Sequence, residues 1–181
     1  MERTIRRAVV ASLACASALL TGAAPTAVAA PPAAVGDGWE PAPSAPWDMP
    51  AGARCDAPVH GEPVVDEVVR RVLDTHADGS PRTVVYRGDL VVRVTNTETG
   101  ASHDADAGGA AVVEYAADGS ESWSVLGPVL VGVAEGGGNL ARGLYIVDGV
   151  WSLDIDASGH KTVTMTSGDR YDICSHVDRA S

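Results

Sequence analysis

The side chains best suited to metal or nucleophile chemistry are five histidines (His60, His76, His103, His160 and His176) and the cysteines Cys55 and Cys174. No two of the histidines form a His-x-His or His-x-x-x-His pair, so a zinc site needs ligands gathered from distant strands. Asp154-Ile155-Asp156-Ala157-Ser158-Gly159 has the opening of a calcium loop, with oxygen ligands at Asp154, Asp156 and Ser158 followed by glycine. Its twelfth position is Met165, which cannot supply the closing bidentate carboxylate, and the same residues read as strand, turn and strand. These three residues are weak metal candidates, and no metal or cofactor is expected.

A second oxygen-rich stretch, His103-Asp104-Ala105-Asp106 with Glu98, falls in residues 97–109, which read as a long solvated loop. Nucleophilic hydrolysis needs an activated serine on a constrained turn, and no Gly-x-Ser-x-Gly occurs. Gly119-Ser120 and Ser158-Gly159 read as hairpin turns, and Gly136-Gly137-Gly138 with Asn139 lacks the lysine and following helix of a phosphate loop. Acidic residues offer many carboxylate pairs and single out none. No catalytic residue is assigned, and a non-enzymatic role is favoured.

The elements that must position these groups begin after a leader. Arg3, Arg6 and Arg7 precede an apolar run from Ala8 to Leu20 and a small-residue stretch ending Ala27-Val28-Ala29, the pattern of a secretory signal peptide cut after Ala29. The apolar run is shorter than the ~20 residues that span a bilayer, so no membrane span is expected after cleavage. Arg6-Arg7 lacks the flanking residues of a twin-arginine signal. Ser12, three residues before Cys15, does not fit a lipobox.

The whole chain carries a formal charge of −11, and losing residues 1–29, which hold three arginines and Glu2, leaves −13. Such a surface repels nucleic acid, and the largest basic clusters left are pairs such as Arg70-Arg71. Of the three cysteines, Cys55 and Cys174 survive cleavage, and in an exported chain they read as a disulfide. Closing a loop of that length is worth roughly 4 to 5 kcal/mol in the chain-entropy picture.

Residues 30–54 hold six prolines among alanines and glycines and read as an extended linker, with Trp39 and Trp47 either docking onto the domain's own surface or serving as an aromatic handle for a partner or glycan. Residues 55–178 read as an all-β domain and 179–181 as a tail. Turn dipeptides at Asp78-Gly79, Gly88-Asp89, Asp118-Gly119, Asp148-Gly149, Ser158-Gly159 and Gly168-Asp169 separate β-branched runs. Trp123 and Val125, Trp151 with Leu153 and Ile155, Val163 with Met165, and Leu90 with Val92 and Val94 alternate with polar neighbours, so each run buries one face. Residues 144–147 are apolar enough to be covered on both sides.

Val64, Val65, Val68, Val69, Val72 and Leu73 recur at helical spacing, but five of the six are valine, and the stretch is assigned as strand. The sum is an antiparallel up-and-down meander of about eight strands, a barrel or barrel-like sandwich.

Cys55 after the linker, the Leu90–Asn96 run LVVRVTN, Gly143-Leu144-Tyr145, and WSLDIDASG from Trp151 leading to Asp172-Ile173-Cys174 resemble small secreted actinobacterial all-β proteins with a terminal-to-terminal cysteine pair. The resemblance implies export, the disulfide and an all-β fold, and it carries no catalytic residues. The expected function is a secreted or cell-envelope binding or structural module with an extracellular or envelope partner. The alternatives are a small enzyme with its pocket at a barrel mouth, or an inhibitor of exported hydrolases presenting residues 97–109 or 134–142.

Overall fold

In the computed structural model the described residues run from Gly38 to Asp178. The expected signal peptide, residues 30–37 of the expected linker and the expected tail 179–181 lie outside them. Twelve strands and one short helix follow in order: β1 (Glu40–Pro41), β2 (Trp47–Met49), β3 (Val59–Asp66), β4 (Val69–Thr75), β5 (Pro81–Arg87), β6 (Leu90–Asn96), β7 (Ser102–Asp106), β8 (Ala110–Tyr115), β9 (Glu121–Leu126), β10 (Val129–Val133), β11 (Gly143–Ile155), β12 (Lys161–Asp172) and α1 (Cys174–Val177).

The all-β, antiparallel expectation holds and the strands divide between two sheets, but neither a closed barrel nor a simple meander forms among the described residues. The strands form an eight-stranded sheet, β1-β4-β5-β8-β9-β11-β10 with β12 on β11, and a four-stranded sheet, β2-β3-β6-β7, with no closed barrel. Hairpin pairs alternate with crossings, the chain passing from one sheet to the other after β1, β3, β5 and β7. The valine-rich run is strand, as its composition argued, but it is two strands in different sheets, split at Glu67-Val68. Gly88-Asp89 is likewise a crossing between sheets and not a hairpin turn. The two crossings lie side by side, with the Glu67 amide donating to the Asp89 carbonyl at 2.8 Å.

Three hairpin tips do fall where the turn signals place them, between β4 and β5, β8 and β9, and β11 and β12. They share one chemistry. Asp78, Asp118 and Asp156 each accept the backbone N–H and the hydroxyl of the serine two residues on, which closes the turn with a side chain and holds each carboxylate below its ordinary pKa.

Asp148-Gly149 and Gly168-Asp169, also read as turns, lie inside β11 and β12, where Gly149 pairs with Gly168 beside a register shift. Here the long hairpin bends. Its tip half pairs with β9 and its base half with β10, both along the β11 edge opposite β12. The base half packs on both sides. Leu144, Ile146 and Leu130 enter one core with Val59, Val92, Val94 and Ala105 of the four-stranded sheet. Val131, Val133 and Val147 enter a second with Val113, Val125, Trp151 and Leu153 of the larger sheet. The base half is thus a middle layer, which is why residues 144–147 are apolar on both faces.

Cys55 and Cys174 are joined by a disulfide, with Cα atoms 5.1 Å apart, and both lie in the first core. The expected linker ends earlier than Arg54. β1 pairs with β4 and β2 with β3, Arg87 covers the Trp39 ring at 4.1 Å, and Trp47 packs against the first core. A Cβ at Gly61 would fall within the Trp47 ring, so this glycine is the seat of that indole. Prolines set at strand edges permit such docking, because a missing N–H there costs no ladder bond.

Candidate functional site

The middle layer does not reach the tips of the β4–β5 and β8–β9 hairpins. There the inner face of the large sheet opens as a cleft of about 690 Å3, floored by Val84, Tyr86, Tyr115 and Arg70. Register places these groups. Arg70 stands opposite Tyr86, and Val84 opposite Val113, so Tyr115, two residues beyond Val113, points to the same face.

The Tyr86 and Tyr115 hydroxyl oxygens are 3.0 Å apart. One hydrogen lies between them, and the second hydroxyl hydrogen is left for another acceptor. Burial, then the bond to Tyr86, pushes the Tyr115 phenol above its ordinary pKa, so it stays a neutral donor at physiological pH. Arg70 donates through Nε to Glu40 at 2.8 Å, a contact that holds its pKa up. Tyr86 stacks on Trp123 with centroids 6.5 Å apart and planes 7° from parallel, and Trp123 Nε1 donates to Glu121 at 2.8 Å.

His76 Nε2 lies 2.9 Å from the Tyr115 carbonyl oxygen, which can only accept, so Nε2 carries a hydrogen. Ser80, also in the cleft, gives its hydroxyl hydrogen to Asp78 at 2.6 Å. The arrangement suits holding a ligand by fixed donors above an aromatic and aliphatic floor.

The weak metal candidates are engaged elsewhere. Asp154 accepts from the Ser122 hydroxyl at 2.8 Å, and Asp156, with Ser158, closes the third hairpin tip and also accepts the His160 N–H. No group of three or more His, Cys, Asp or Glu side chains able to hold a metal occurs among the described residues.

Residues 97–109 are not a long loop, since Ser102–Asp106 is β7, paired with β6. Strand geometry sends its neighbours to opposite faces. Asp104 binds Arg93 through two bonds of 2.7 and 2.8 Å, while His103 turns inward, stacked on His176 at 4.5 Å and edge-on to Tyr171 at 5.9 Å. Burial, then the His176 charge, lowers the His103 pKa. The sequence carries no short-range sign of this trio, nor of Tyr86 with Tyr115 and Arg70, because each group is assembled from separate strands.

Compared with known protein families, curated proteins and solved structures, the chain matches none.

Proposed function

We propose that this chain is an exported β-module, released or held at the cell envelope, whose task is to bind a small ligand in the cleft between the β4–β5 and β8–β9 hairpin tips. What supports this reading is the convergence of the Tyr86–Tyr115 hydroxyl pair and Arg70 in an open cleft of about 690 Å3, a size suited to a small molecule. The charge of Arg70 is balanced by Glu40 at 2.8 Å, so the floor favours an uncharged ligand with a hydrogen-bond acceptor over a free anion. The alanines Ala77, Ala116 and Ala117 line the walls and leave room above the rings.

A catalytic role at a barrel mouth has no barrel to occupy. The inhibitor alternative is left with residues 134–142, a loop tied down by both Asn139 side-chain bonds to Val163, at 2.8 and 2.9 Å.

The test is a thermal-melt screen of the oxidised protein against small neutral acceptors, small carboxylates, monosaccharides, divalent metals and a chelator. A true ligand at a hundred times its Kd adds about 2.7 kcal/mol. That shift should shrink in Tyr86→Phe and vanish in Ala117→Trp. A well-folded sample that responds to nothing, or equally in Ala117→Trp, would end this reading.

A further inference from the structure

The outer face of the eight-stranded sheet, opposite the cleft, has no covering layer among the described residues. Register sets its side chains in rows across β8, β9, β11 and β12. One row is Glu114, Ser122, Asp154 and Thr162, and the next is Val112, Ser124, Ser152 and Thr164. Beyond them Leu126 stands opposite Val150, 64% and 44% exposed.

Two grooves occupy this face. The first, about 620 Å3, is lined on this face by Glu114, Ser122 and Asp154, and it reaches over the hairpin tips to His76, Tyr115 and Ala116, which it shares with the cleft. The second, about 350 Å3, is lined by Ser124 and Ser152 with Leu126, Val150 and Thr166. Ser122 and Ser124 are successive outer positions of β9, and Asp154 and Ser152 of β11, so the grooves run end to end along the same two strands. From Val150 to Asp156 the strand rise spans about 20 Å.

We propose that this outer face binds a linear, uncharged oligosaccharide lying along β9 and β11. Hydroxyls and carboxylates at one end can exchange hydrogen bonds with sugar hydroxyls, while Leu126 and Val150 at the other take the C–H face of a ring. Polar groups buried by a ligand must be re-paired, and a polyol supplies donors and acceptors at the spacing of a hydroxyl row. Four carboxylates, Glu114, Glu121, Asp154 and Asp156, against the single arginine Arg82, in a chain of net charge −11, disfavour a polyanion. An extended peptide would gain no main-chain pairing, because β9 and β11 lie inside the sheet with neighbours on both edges. The aliphatic patch is too broken by hydroxyl rows to seat a second copy. The hydroxyl rows lie on the other side of the sheet from Tyr86, and the first groove meets the cleft at His76, Tyr115 and Ala116, so Tyr86 and Ala117 belong to the cleft alone.

The experiment is isothermal titration of the oxidised full chain with neutral linear tetrasaccharides (cello-, malto-, xylo-, manno- and N-acetylated chito-forms), their monosaccharides, and tetragalacturonate, with the protein's mass measured in parallel. At least one neutral tetrasaccharide should bind with Kd below about 10 mM and at least about tenfold tighter than its monosaccharide. Binding should be lost in Ser124→Trp, and in Ser152→Arg should the first variant melt early, and kept in Ala117→Trp. The inference is overturned by any of four results. These are no neutral tetrasaccharide bound, equal binding of the monosaccharide, preference for tetragalacturonate, or a dimer dissociated by Ser124→Trp. Loss in Ala117→Trp alone would move the sugar to the cleft and likewise overturn it.

Discussion

Gly149 of β11 stands directly opposite Gly168 of β12, at φ angles of +123° and +120°, and a Cβ on either would collide with the backbone of the other strand. That pair is the bend that turns the hairpin base into a layer between two cores. Gly168→Ala should therefore cost about 2 to 3 kcal/mol, from left-handed strain plus backbone displacement. Urea unfolding followed by tryptophan fluorescence measures it. A midpoint unchanged from the parent would show that the bend does not depend on this glycine.

The Cys55–Cys174 bond, 119 residues apart in sequence, ties the segment before β3 to the helix after β12. Replacing both cysteines with alanine should lower stability by roughly 4 to 5 kcal/mol, most of the stability of a small domain. Calorimetry of the oxidised and the cysteine-free proteins reads the difference. A loss of under about 1 kcal/mol would mean that the first core alone holds the two ends together.

His103 is stacked on His176, and burial and that neighbour lower its pKa, opposed by Asp104, itself paired with Arg93. Unfolding frees His103 to take a proton at its ordinary pKa near 6.5. Its contribution to stability is therefore full above that pH and lost as pH falls through the depressed folded value. The urea midpoint should drop between about pH 7.5 and pH 5, and His103→Gln should flatten that part of the slope. An unchanged slope in the variant would assign the acid sensitivity to other groups.

Tyr115 is pushed up by burial and by its bond to Tyr86. A phenol whose folded pKa is raised stabilises the fold below its ordinary value, and that stability is lost as pH rises through the folded one. Alkaline difference spectra should show one tyrosine ionising later than the rest. Tyr86→Phe should bring it earlier and cost about 1 kcal/mol.

Whatever depends on near neighbours could be read from the order of residues. Alternation of apolar and polar side chains identified strand runs at Leu90, Trp123, Trp151 and Val163, because the pleat alternates whatever strand lies alongside. The aspartate-serine tips close on themselves within two residues, so their turns were legible. The disulfide was legible by count, Cys55 and Cys174 being the two cysteines outside the expected leader. The double burial of residues 144–147 was legible from composition alone.

Where each strand goes could not be read that way, because it depends on contacts between distant segments. A glycine beside aspartate encodes a positive φ, and that conformation serves a chain reversal at Gly79, a sheet crossing at Gly88 and a bend at Gly149 equally well. Which of the three results is settled by packing of segments distant in sequence, as when β7, read as loop, finds an edge on β6. For the same reason Tyr86 and Tyr115, 29 residues apart, share a hydrogen bond that no local spacing announces. Local dihedral preference is written residue by residue, whereas sheet partnership is chosen by the burial of both cores together.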